Sequence, residues 1–153
     1  TKSHPHTRRD GGRPREPGEP VHNMRIRLTI DLELVIHEAE AVTDNGPYPH
    51  CGDIAPAFKA LAGIRIGPGW RREIAARLGG VKGCTHLVEL LAPMGTTAFQ
   101  ATGRAREALK AGQPVKMKPY QLNSCHVYKD DTPEVLERWP EYYTGPLKRT
   151  ASE

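Results

Sequence analysis

The chain has 153 residues, 37% of them hydrophobic, and a formal net charge of +4 from 22 Lys/Arg against 18 Asp/Glu. That length suits one ordinary domain, and no apolar run approaches the ~20 residues of a membrane-spanning helix. The basic residues are dispersed among acids, and 2 Trp, 5 Tyr and 2 Phe make a thin stacking surface, so nucleic acid is not an expected partner.

Residues 1–20, TKSHPHTRRDGGRPREPGEP, have no periodicity and are dense in Pro, Gly and charge. They read as an extended or disordered arm, with 21–153 as a single α+β domain. MRIRLTI (24–30) alternates apolar and polar, a strand with one buried face. LELVIHEAEAVTD (32–44) continues the alternation, with Leu34, Ile36 and Glu38 on one face and Val35, His37 and Ala39 on the other. A tight turn at Asp31 and Leu32 would make the pair an antiparallel hairpin. After the rigid loop NGPYPHCGD (45–53), Asp53 is expected to cap a helix over 54–63 carrying Phe58 and Leu61. Pro68 and Gly69 introduce a second helix over 70–78, in which Trp70, Ile74 and Leu78 share a face and Gly79-Gly80 ends the run. A third helix starts near Cys84 and Thr85 and runs towards Leu109, with Pro93 predicting a kink or break near Glu89. GQPVKMKPY (112–120) reads as a turn-rich linker. QLNSCHVY (121–128) fits a loop or a third strand, and 133–143 supports one or two helical turns stopped by Pro140. The resulting fold class is α+β, a small antiparallel β-sheet with about three helices packed on one face.

Chemistry concentrates around the cysteines. Three is an odd number, too few for a disulfide framework, and fits a reducing, cytoplasmic setting. Cys51 lies in His-Cys-Gly-Asp, Cys84 in Gly-Cys-Thr-His and Cys125 in Ser-Cys-His. Thiolate and imidazole are soft-metal ligands, so Cys51, Asp53, Cys84, Cys125 and His126 form a candidate metal set if three turns converge, with His86 a further donor. Zinc is the expected ion, and iron or an iron–sulfur cluster the alternative. Gly83 would turn the chain sharply into the helix and leave Cys84 at its start, where free amides and the dipole favour a thiolate as ligand or nucleophile. His86 and Glu89 are candidate catalytic residues, the carboxylate orienting the ring from one turn on. Cys84 and His86 at i and i+2 would diverge on a helix, so His126 or His50 would be the better base. The alternative is a structural or interaction domain with three buried thiols. The Gly63–Arg72 stretch could seat an anion at a helix start through Arg65 or Arg71, or be a packing turn. His22 and Asn23 are ordinary turn residues unless the fold brings them to the cysteines. The partners expected are a small-molecule substrate and a second copy of the chain.

The phrases GEPVHNMRIRLTID, GIRIGPGW, GCTHLVELL and TTAFQ, with C-H-x-Y and RWPEY further on, resemble the bacterial domain of unknown function 2889 family from about Pro17 onward. The resemblance implies no activity; it does imply a further strand-like segment before Thr1. The C-G-D turn, the cysteine at a helix start and the late Cys-His also resemble U-type iron–sulfur cluster scaffolds. That likeness implies metal or cluster binding through Cys51, Asp53, Cys84, Cys125 and His126. It departs from those scaffolds in placing His after the late Cys and in lacking a small-residue run after Cys84.

Overall fold

Period-two alternation dictates the first element. In the computed structural model, which describes residues 1–8, 10–109 and 118–146, β1 (Asn23–Ile30) turns Met24, Ile26, Leu28 and Ile30 inward and Arg25, Arg27 and Thr29 outward. It pairs antiparallel with β2 (Ile36–Asn45). The turn is longer than expected. Asp31 Oδ1 accepts the amides of Glu33 and Val35, both at 2.9 Å, and Leu34 takes a left-handed φ of 66°. An aspartate can wrap the backbone this way where a two-residue turn lacks suitable residues.

The facing of β2 also differs from simple alternation. Thr29 pairs with Glu38 but Ile30 with Ile36, so His37 is an extra, bulged residue. The bulge resets the phase, leaving Glu38 outside and placing Ala39 in the core beside Ile36. The outer face carries the ion pairs Arg25–Asp44 and Arg27–Glu40.

Residues 55–101 cover the inner face. The 54–63 region is a 3-10 segment, Ala55–Leu61, rather than the expected α-helix. It comes after another 3-10 turn, Pro49–Gly52, and includes Pro56, which has no amide to donate. Three residues per turn align Phe58 with Leu61, and both are fully buried. Residues 63–66 then lie beside the start of β2, with Ile36 N donating to Ile64 O and Ile66 N to Leu34 O, each at 2.9 Å. Gly63 permits the approach at φ 83°.

Helix α1 (Trp70–Leu78) matches its expected span and begins after Gly69, whose φ is 88°. Helix α2 (Thr85–Ala101) continues past Pro93 as one element; the break falls at Thr102, before α3 (Gly103–Leu109). Leu87 and Leu91 of α2 join Phe58, Leu61, Trp70 and Ile74 in one core against the sheet. The architecture is therefore α+β, a two-stranded antiparallel sheet with helical segments packed against it. Among the described residues no helix is long and apolar enough to cross a membrane.

The chain divides into two compact units, 1–111 and 112–153. In the second, 121–128 is a series of turns, not a strand, and Asn123 has a φ of 60°. Asn123 and Asp130 exchange two hydrogen bonds of 3.0 Å. Helix α4 (Pro133–Arg138) and a 3-10 turn at Pro140–Tyr142 complete it, with Trp139 against Tyr128. Most of the expected linker, 112–117, lies outside the described residues.

Gly95 is the packing point of α1 on α2. A Cβ there would lie 2.9 Å from Trp70 Nε1, which donates to the Leu91 carbonyl at 3.1 Å. Gly95→Val should break that bond and overpack the contact, costing ~1–3 kcal/mol. Urea unfolding and the near-ultraviolet tryptophan signal check this; an unchanged midpoint would contradict it.

Candidate functional site

Chain direction brings four polar side chains to the open end of the hairpin and the start of α2. Cys84 is the N-cap residue of α2, with extended backbone (φ −107°, ψ 125°). Because it stands outside the helix, its thiol does not diverge from His86 as two helical residues would. Sγ lies 4.0 Å from His86 Nδ1, so within the first unit His86, rather than His50, is the imidazole at this thiol. The His86 ring packs on the ring of His22, centroids 4.0 Å apart. His22 directly precedes β1, whose first residue, Asn23, pairs with Asn45. Gly46 is next after Asn45, and its carbonyl accepts a 2.8 Å hydrogen bond from Arg15 Nη2.

The arm is thus tied to the sheet. His6 and Arg15 form a two-way backbone bridge, each N–H···O bond 2.9 Å, and Arg15 is buried. Arg8–Asp10 and Arg13–Glu19 pairs hold the rest, and the guanidinium of Arg8 keeps the Asp10 carboxyl far below the usual carboxylate range. Partial desolvation of its ring, then the charges of His86 and Arg15, hold the His22 imidazole below its ordinary range, although the residue is exposed.

Gly83 reaches the same place by close approach and not by a positive φ. Its backbone is extended (φ −148°, ψ −174°), but a Cβ would collide with the Leu78 carbonyl oxygen at the end of α1.

The other expected site residues are scattered. Cys51 is half-buried, packed so closely on Gly46 that a Cβ on that glycine would come within 2.6 Å of the cysteine Cβ. Beside them Thr43 Oγ1 is buried without a hydrogen-bond partner. Asp53 does not cap a helix. Its backbone is already helical, and its carboxylate pairs with His50 Nδ1 at 3.0 Å. Glu89 is exposed on α2 and makes no hydrogen bond or ion pair with His86. Cys125 and His126 are exposed in the turns of the second unit. Among the described residues, no group of three or more His, Cys, Asp or Glu side chains is arranged to hold a metal ion. Arg65 donates from Nε to the Glu33 carbonyl at 2.9 Å and so braces the turn. Arg15 is the residue that sequence reasoning misses, whereas His22, an ordinary turn residue unless the fold brings it to the cysteines, is brought beside His86 and so to Cys84. Only the closing of the hairpin puts His22 next to α2, and nothing local marks Arg15 among the arm's other arginines.

Gly83→Ala should cost ~1–3 kcal/mol through backbone overpacking and move Cys84, read by thermal unfolding; equal stability would contradict the close approach. The lowered pKa of His22 means that it binds fewer protons folded than unfolded. Its contribution to stability is therefore present above the unfolded value of about 6.5 and is lost as pH falls through the lower, folded value. His22→Gln should flatten the loss of stability below about pH 6.5, measured by urea unfolding across pH.

No curated protein and no solved structure matches the chain, iron–sulfur scaffolds included. A family model described as "Protein of unknown function (DUF2889)" matches residues 1–100, a stretch that holds Arg15, His22, Cys84 and His86 and ends within α2. The chain therefore belongs to the DUF2889 family.

Proposed function

We propose that this protein acts through the Cys84 thiol, as a small enzyme that forms a bond from sulfur to an electrophilic carbon of a small molecule. The observation that carries this reading is the Cys84–His86 pair at the N-terminus of a 17-residue helix. His86 Nδ1 takes the thiol proton, the sulfur attacks, and the leaving group departs with the bonding electrons. The first amides of α2 have no partner within the helix and favour negative charge on sulfur or on a developing oxyanion. His22 holds the His86 ring by stacking. Glu89 has no part in this scheme.

A second reading keeps the metal. Thiolate and imidazole 4.0 Å apart are two soft donors, and zinc or iron bound at Cys84 and His86 would make the protein a metal-binding protein or carrier. A further donor from the first unit, such as Cys51, would then have to be recruited.

Iodoacetamide labelling, resolved by mass spectrometry at each cysteine, separates the readings. The nucleophile reading expects half-buried Cys84 to label faster than exposed Cys125, indifferently to chelator, and to slow in His86→Gln. Protection of Cys84 by zinc, reversed by chelator, would establish the metal reading instead. Slow labelling of Cys84 under both conditions would overturn the nucleophile.

A further inference from the structure

Arg15 is only 7% exposed, yet its side-chain hydrogen bond is to a neutral acceptor, the Gly46 carbonyl. Among the described residues no carboxylate lies within ion-pair distance of it. A guanidinium has five N–H donors and a permanent charge, and burying that charge without a counter-charge is unfavourable. The nearest acid in sequence, Glu16, is exposed, and Glu19 is engaged by Arg13 and the Glu16 amide. An arginine that serves only as a strut would be equally well placed on the surface.

The Arg15 charge reaches the Glu19 carboxylate, but that acid is already paired with Arg13. Gly46 and His22 flank the paired residues Asn45 and Asn23 at the open end of the hairpin, so the Arg15 anchor and the His22–His86 stack stand at the same edge of the sheet. The Arg15 charge is felt at the His22 ring, as is that of His86.

We propose that the open end of the hairpin is an oxyanion-binding site, in which Arg15, with His22 and His86, receives a carboxylate or phosphate group of a small molecule beside the Cys84 thiol. The thiol's part in this rests on the reading of Cys84 as the reacting group; the anion site does not. The substrate class becomes an anionic electrophile. Arginine suits both oxyanions because its planar fork can donate two parallel hydrogen bonds.

Two alkylating agents differing in charge test this. Both form a carbon–sulfur bond and release iodide, but iodoacetate is anionic and iodoacetamide neutral. The rate ratio of iodoacetate to iodoacetamide at Cys84, divided by the same ratio at Cys125, should exceed one by ~3- to 10-fold, the scale of one partly screened charge interaction. Inorganic phosphate should suppress the excess and Arg15→Gln should abolish it. If Arg15→Gln does not fold, Arg15→Lys should retain part of the excess and His22→Gln should reduce it. Separately, phosphate should shift the ring-proton resonances of His22 and His86 saturably in the wild type. Equal ratios with no saturable shift would overturn the anion site. An inert Cys84 with saturable phosphate shifts would overturn the nucleophile and support the anion site.

Discussion

The indole N–H of Trp70 reaching the Leu91 carbonyl over Gly95 fixes the two long helices to one another. The bond is buried, so leaving either partner unmatched would carry a desolvation penalty on top of the lost contact. Glycine at 95 is what lets the ring come that close. With α1 and α2 locked, the residues between Leu78 and Thr85 have little freedom. They must leave α1 at Gly79, pass beneath the Leu78 carbonyl at Gly83, and enter α2 at Cys84. The position of the thiol is in this sense a consequence of helix packing some distance away.

The candidate site is assembled from three stretches that share no local signal. The arm contributes Arg15, the lead into β1 contributes His22, and the start of α2 contributes Cys84 and His86. The hairpin is the scaffold, because its antiparallel register places the residues before β1 beside those after β2. Of the three cysteines, the two in the first unit have different surroundings. Cys84 meets an imidazole, whereas Cys51 is pressed against a glycine, in keeping with a packing role.

Much of the fold is legible in the sequence because it arises from local periodicity. The alternation over 24–30 and the four-residue steps of Trp70, Ile74 and Leu78 each mark an element correctly. The 3-10 segment reads as an α-helix because Phe58 and Leu61 satisfy an α-helical and a three-fold spacing alike. The facing of β2 departs from the pattern after Ile36 because a bulge has no single-residue signature. At the site, Gly-Cys-Thr-His points to the right cysteine and histidine, but their expected divergence holds only where both are helical. An N-cap residue escapes that geometry. Arg15 is illegible because its significance is purely tertiary, and His22 is legible only as a turn residue whose role depends on what the fold brings to it.

The bulge at His37 has a consequence for how this chain can vary in length. The hairpin is read in two phases, one ending at Ile36 and the other starting at Glu38. Loss of His37 would only remove the bulge and leave every facing as it is, whereas loss of a single residue between Glu38 and Thr43 would rotate the side chains beyond it to the opposite face. Related chains should therefore keep the count of residues from Glu38 to Thr43 constant, even where the residues themselves drift, and can lack the bulged residue at 37. Such a rule constrains the spacing of the hairpin more tightly than its composition, and it gives a criterion for aligning distant relatives that share few identical residues.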